Sequence, residues 1–335
     1  MNKGQKISLS LLIPCMMLLS STVSIAQQDI VDSLRQNIPD KPDQGKVEHL
    51  NRLSKAFWYI SPDSSLRYAN RALEAARIID DSKMISDAYN RVGNAYYFLG
   101  DTSQALSYYK RSLKIRKELN DPERLIQIYN NLGVYYMRSP RQEKALEYYQ
   151  KALEVSREAN LTDEVAGSIR ALASYYQQIN NYQKAIEHYL EAMDLYRQLK
   201  DTAGLGETCI SLGRIYRNIS SYDKSLRYYL EATQFLRQVN DQESLANAFN
   251  ETGIIHLTIE DYDKALEYYN RALEILEKLG REDQIAMIYN NIGIIYDDQG
   301  NDEKALEYYQ KSLEKDRIAN DKSGMASSLN NIALI

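Results

Sequence analysis

The stretch Tyr129–Val155, YNNLGVYYMRSPRQEKALEYYQKALEV, is nearly restated by Tyr289–Lys315, YNNIGIIYDDQGNDEKALEYYQKSLEK, which begins 160 residues later. Aligning the two exposes a period of 40 residues that runs through most of the chain. A column of small residues reads Gly93, Gly133, Ala173, Gly213, Gly253, Gly293 and Ala333. Two further small columns run from Ala105 to Ala305 and from Ser112 to Ser312, with a tyrosine column, Tyr109 to Tyr309, between them. Six full repeats follow without insertion: 86–125, 126–165, 166–205, 206–245, 246–285 and 286–325.

Each repeat reads as two helices. Apolar residues recur at helical spacing in LIQIYNNLGVYYM and again in ALEYYQKALEV. Asp121 with Pro122, and Ser139 with Pro140, have the order of a cap followed by a first-turn proline. Glycine inside a helix costs about 1 kcal/mol against alanine, so the glycine column needs a reason. Close approach of two helices, with tyrosine filling the space beside them, supplies one. Neither helix can bury its apolar face alone, so stacked neighbours make the core. The expected fold class is all-α.

The column Tyr129, Leu132, Gly133, Tyr136, Ala145, Tyr149, Ala152 resembles the tetratricopeptide repeat signature, with Tyr129 in place of the usual tryptophan and without the usual closing proline. The 40-residue period is similar to that of kinesin light chain repeats and bacterial peptide-sensing arrays. The resemblance implies a right-handed α-solenoid whose first helices line a concave groove. Lys46–Ile85 carries Ser65, Ala69 and Ala72 on the expected columns, and 46–85 reads as a degenerate first repeat after a lead-in helix or linker, 27–45. The last residues, 326–335, match the start of a further first helix and stop there, so the chain reads as part of a longer protein.

Residues 1–26 differ in kind. Lys3 and Lys6 precede the apolar run ISLSLLIPCMMLL, and Ser24 and Ala26 close a small-residue segment. That order predicts a signal peptide cleaved after Ala26, and hence a periplasmic or secreted bacterial protein. The run is shorter than the ~20 residues of a membrane-spanning helix. Pro14 is not the small residue expected before a lipidated Cys15. No later segment is apolar enough to span a membrane, and only Cys209 would remain after cleavage, which excludes an internal disulfide.

The formal charge of −5, or −7 after loss of two lysines, argues against nucleic acid as a partner. Three histidines are too few and too scattered for a catalytic or metal site: His188 and His256 fall in tyrosine columns, and His49 in the degenerate repeat. The glycines come singly rather than as a phosphate loop. No catalysis and no cofactor are expected within these residues. Glu147–Lys151, Glu267–Arg271 and Glu307–Lys311 read as ordinary ion pairs one helical turn apart.

What core packing does not demand is a column of asparagines, Asn90, Asn130, Asn250 and Asn290, interrupted by Arg170 and Ile210. One donor and one acceptor per repeat match the backbone of an extended peptide. Groove asparagines serve this way in the arrays the chain resembles; the alternative is that they are ordinary polar surface residues. A second column holds Asn131, Asn291 and Asn331 and reads as ordinary polar residues on a partly exposed helix face. Arg138, Arg170, Arg214 and Arg217, with Gln177 and Gln178 among them, are expected on the same inner face, where a basic patch favours an acidic side chain or terminal carboxylate. The function expected is peptide or protein binding in the concave groove, as the exported sensory region of a bacterial signalling protein. A free periplasmic scaffold, or an accessory region of an enzyme whose catalytic domain lies beyond residue 335, are the alternatives.

Overall fold

A computed structural model describes residues 25–335 apart from residue 59. The expected signal peptide, with Cys15, lies outside the described residues except for its last two positions. Sixteen helices occupy the described part: α1 (Ile25–Gln36), α2 (Gln44–Ala56), α3 (Pro62–Ile78), α4 (Ser82–Leu99), α5 (Thr102–Leu119), α6 (Pro122–Met137), α7 (Glu143–Glu158), α8 (Thr162–Gln178), α9 (Tyr182–Leu199), α10 (Thr202–Asn218), α11 (Tyr222–Gln238), α12 (Gln242–Thr258), α13 (Tyr262–Leu279), α14 (Glu282–Asp298), α15 (Asp302–Ala319) and α16 (Lys322–Leu334). Each packs on the next in sequence, and the pairs within one repeat, such as α6 with α7 or α14 with α15, touch most extensively. The result is an α-solenoid. Among the described residues no helix is long and apolar enough to cross a membrane.

The turns explain the period. Backbone φ is positive, between 48° and 83°, at every twentieth residue from Asp80 to Asn320 except Pro140. These are left-handed helix terminators. At Gly100 the next amide, Asp101, returns to the Tyr96 carbonyl at 3.0 Å, and Gly100 itself donates to Tyr97 at 3.1 Å, closing α4. Asp101 then caps α5 by accepting the amide of Gln104, as Asp81, Asp121, Asp201 and Asp241 do for the helices they precede. Helices of 16 to 18 residues joined by such tight links give a half-repeat of twenty.

Position 140 breaks the rule. Proline fixes φ near −65° and cannot turn left-handed. Ser139 and Pro140 therefore do not start the second helix as their order suggests. α6 stops at Met137, α7 waits until Glu143, and Gln142 at its start makes no side-chain cap. Ser139 Oγ instead accepts from the Arg141 amide at 3.1 Å, and Gln142 Nε2 donates to the Met137 carbonyl at 3.1 Å.

Between the helices of each repeat the tyrosine column is buried, with Tyr229 and Tyr269 wholly enclosed. Its rings lie over the glycine column: a Cβ on Gly253 or Gly293 would come within 2.6 Å of Tyr269 or Tyr309. Where a small column carries serine, the hydroxyl finds a neighbouring carbonyl, as Ser225 does at Gly213 (2.6 Å) and Ser312 at Ala286 (2.8 Å). A second tier consists of stacked pairs twelve residues apart: Tyr96–Tyr108, Tyr136–Tyr148, Tyr176–His188, Tyr216–Tyr228, His256–Tyr268 and Tyr296–Tyr308, all with centroids 5.4–5.6 Å apart. His188 and His256 thus stand in for tyrosine in a stack. Burial lowers the His256 pKa, although Asp261 at 3.4 Å works against it.

First helices of successive repeats touch one another, as α4–α6, α6–α8, α10–α12, α12–α14 and α14–α16 do, whereas second helices have no comparable contact. The first helices therefore form the inner row of the solenoid. At the far end α16 leaves Leu329, Leu334 and Ile335 exposed.

Candidate functional site: the inner row of helices

The four asparagines of the inner row fall into two kinds. Asn90 on α4 accepts a hydrogen bond from Asn131 Nδ2 on α6 at 2.8 Å, and Asn290 on α14 accepts from Asn331 Nδ2 on α16 at 2.7 Å. In both, the second asparagine column ties one first helix to the next. Asn130 and Asn250 differ: their Oδ1 atoms are buried and, among the described residues, have no hydrogen-bond partner. For Asn130 the cause lies in the sequence, since Ala171 stands one repeat on from Asn131 and has nothing to donate. Both amides belong to half-exposed residues. On the next turn after Asn130, Val134 is 45% exposed, and Met287, one turn before Asn290, is 49% exposed.

The arginines divide likewise. Arg170 on α8 pairs with Glu207 on α10, and its Nε donates to the Tyr196 hydroxyl at 3.2 Å. Burial alone would lower the Arg170 pKa, but Glu207 and Tyr196 raise it on balance. Arg217 pairs at 2.5 Å with Glu251, a buried carboxylate that also accepts from Tyr229 at 3.3 Å. These two guanidiniums are neutralised by the first helix of the following repeat, so the basic patch is narrower than the sequence led one to expect. Arg214 and Arg138 have no ion-pair partner among the described residues. Arg214 lies near the Tyr189 and Tyr229 hydroxyls and opposes the rise in pKa that burial gives both. Arg138 rests on the Tyr97 ring, 5.1 Å from its centroid. Gln177 accepts from the Tyr189 hydroxyl at 2.9 Å, and Gln178 is exposed at the end of α8.

Reading the end of each inner helix in turn gives a gradient: Tyr97–Phe98, Met137–Arg138, Gln177–Gln178, Arg217–Asn218, Leu257–Thr258, Asp297–Asp298. The first end is aromatic, with Trp58 stacked on Phe98 at 5.6 Å and Arg91 over Trp58 at 5.4 Å. The last is acidic. Burial, then Asp297 and Glu260, raise the Asp298 pKa. Sequence reading missed this gradient, although the column could have been written down.

Cys209 is buried and its thiol is pushed up to about 12 by desolvation, so it is not a thiolate at neutral pH. Among the described residues no cluster of His, Cys, Asp or Glu could hold a metal ion. Of the three expected surface ion pairs, Arg271–Glu267 (2.5 Å) and Lys311–Glu307 (2.6 Å) form, while Lys151 lies over the Tyr148 ring instead.

Comparison with known proteins agrees with this geometry. Residues 61–118, 124–198, 206–278 and 244–318 match the family described as tetratricopeptide repeat. No curated protein sequence matches the chain. Among solved structures, BtubC (BKLC) from P. vanneervenii is 25% identical over 66% of this chain and 92% of its own, with a TM-score of 0.58. The apo form of RapI is 20% identical over 81% and 98%, with a TM-score of 0.58. NprR in complex with its cognate peptide NprX is 15% identical over 87% and 84%, with a TM-score of 0.54.

Proposed function

The chain belongs to the tetratricopeptide repeat family, and on that premise we propose that it is a non-catalytic array that holds an extended peptide against its inner row of helices. The observation that carries this reading is the pair of buried, unpartnered carbonyls at Asn130 and Asn250. An acceptor shut away from water without a donor costs roughly 1–3 kcal/mol. Half a turn of each amide brings the oxygen to the surface, where a backbone N–H of an extended ligand can donate to it, and turns Nδ2 inward in its place. Exposed Val134 and half-buried Ile254 flank the two amides and suit apolar ligand side chains. The structural likeness to NprR bound to a peptide is consistent with the same use of the fold.

Recognition is proposed to take place outside the cytoplasm, with the array as the sensory region of a bacterial signalling protein. The support is the order of lysines, apolar run and small residues in 1–26. Amino-terminal sequencing of the protein recovered from the periplasm tests it: a mature chain starting at Gln27 is expected, and a cytoplasmic chain retaining Met1 would overturn it.

The groove reading is tested with a peptide selected from a random library. Asn130→Ala with Asn250→Ala should weaken that peptide by about 0.5–1.5 kcal/mol per lost hydrogen bond in calorimetry. Undiminished affinity would move the binding face elsewhere.

A further inference from the structure

The second helices make the outer row of the solenoid, and two of them differ from the rest. A column that reads Lys110, Gln150, Asn270 and Gln310 in four repeats holds Leu190 on α9 and Leu230 on α11. These leucines are 39% and 41% exposed, in mid-helix and on adjacent repeats. Half-buried Tyr182 and Ile186 precede Leu190 at four-residue steps, and Tyr222 and Leu226 precede Leu230 in the same way. Each of the two helices therefore carries an apolar strip that comes out to solvent at its leucine. A single exposed leucine needs no explanation, but two at one position in neighbouring repeats make a shared patch. Arg197 on α9 pairs with Glu231 on α11 at 3.7 Å, which holds the two strips at a fixed spacing.

Beside the patch one charge is reversed. Glu147, Glu187, Glu267 and Glu307 fill a column of the second helices in which α11 carries Arg227. Glu187 and Arg227 are both exposed. Glu187 accepts from Gln183 at 3.1 Å and Arg227 lies over the Tyr228 ring, 5.2 Å from its centroid, and neither has an ion-pair partner among the described residues. Thus α9 and α11 present the same apolar residue with opposite charges three positions before it. No other pair of adjacent second helices combines the two features. At a net charge of −5 two copies of the chain repel at long range, so an association between them has to be made by complementary contacts at short range.

We propose that this outer face, α9 with α11, pairs with a second copy of the chain. The two helices hold the same place in successive repeats and run in the same direction. A two-fold axis along the line between them lays α9 of each copy on α11 of the other, parallel and in step. Glu187 then meets Arg227 of the partner subunit, twice by symmetry, and the leucines of both copies close the apolar centre. The inner row stays open in such a pair, so the peptide-binding reading stands or falls separately.

Analytical ultracentrifugation of the full chain as recovered from cells should show a dimer that dissociates on dilution. Glu187→Arg alone sets arginine against arginine at both contacts, and Arg227→Glu alone sets glutamate against glutamate. Each change should weaken the dimer by roughly tenfold or more. Mixing the two singly reversed chains restores opposite charges at both contacts and should return a mixed dimer as tight as the parent, which a loss of folding could not do. Leu190→Gln with Leu230→Gln installs the residue that α7 and α15 carry at that position and should give a monomer, with circular dichroism confirming that the helices are retained. A chain that stays monomeric at every concentration would overturn the pairing and leave the patch to a different protein. A dimer that ignores these changes would overturn it too, by placing the contact elsewhere, for example at the exposed end of α16. So would singly reversed chains that fail to associate when mixed.

Discussion

Tyr149 lies across Gly133 so closely that a Cβ at Gly133 would sit 2.5 Å from the ring. The same column tolerates Ala173 beneath Tyr189, whose hydroxyl reaches Gln177, so a ring can yield to one methyl. Gly133→Ala should accordingly cost only about 1 kcal/mol, the overpacking being partly offset by the better helix propensity of alanine. Gly133→Leu should cost about 3 kcal/mol. Gly213, whose Cβ would stand 3.0 Å from Tyr229, should accept alanine with no loss. Urea midpoints of the three variants order these effects. An equal cost at the two alanine sites would show that ring distance does not govern the column.

The asparagines should respond with opposite signs. Asn290→Ala removes the acceptor of Asn331, and Asn90→Ala that of Asn131, each costing about 0.5–1.5 kcal/mol of stability. Asn130→Ala deletes a buried acceptor that has no donor and installs a better helix former, so the protein should gain stability. Thermal melts without ligand distinguish the two. A loss at Asn130 equal to that at Asn90 would mean its oxygen is satisfied in solution.

Arg116 is 1% exposed and shares Asp87 with Arg124: Arg116 Nη2 donates at 3.0 Å and Arg124 Nε at 2.9 Å. Burial lowers the Arg116 pKa to about 10, with Asp87 opposing the shift. Asp87→Ala strands the Arg116 guanidinium, while Arg124 keeps Asp121 at 3.0 Å, and should cost about 3 kcal/mol, the lower end for breaking a buried pair. Arg116→Met, which removes the buried charge itself, should cost far less. Chemical denaturation of both is the check, and a ranking in the reverse order would contradict the desolvation argument.

Asp316 is buried in α15 and accepts from Ser328 at 2.9 Å, and burial raises its pKa to about 6. An acid whose pKa is raised on folding binds more protons folded than unfolded between about pH 4 and 6. Its contribution is therefore full below the unfolded value and is lost as pH climbs through 6. Asp316→Asn should stabilise the protein by on the order of 1–2 kcal/mol at pH 7 and by nearly nothing at pH 4. Melts at the two pH values test this, and a gain that does not shrink on acidification would rule the carboxylate out as its source.

The repeat period, the helix pairs and the packing role of His188 and His256 were legible because each is a column, and a column averages over the accidents of one repeat. What the columns hid were pairings between repeats. Glu207 and Glu251 neutralise Arg170 and Arg217 from 37 and 34 residues away, across a helix–helix step that no single-helix pattern displays. Asn131 reads in the sequence as an ordinary polar residue on a partly exposed face and is a tie to Asn90. The misplaced start of α7 came from reading Ser139–Pro140 locally, where the useful signal was Pro140 standing in a series of glycines and asparagines twenty residues apart. Asn130 and Asn250 stand on first helices, α6 and α12, but nothing in the letters says that their oxygens lack donors.

The inner-row ties join residues at most 41 positions apart, and contacts of any extent connect helices no more than two places apart along the chain. Such a molecule has no interior shared by its two ends. Its topology is of low contact order, so each helix pair can form on the submillisecond scale without waiting for a distant partner. Cooperativity then resides in the interfaces, and a fault at one of them divides the array into segments that melt separately.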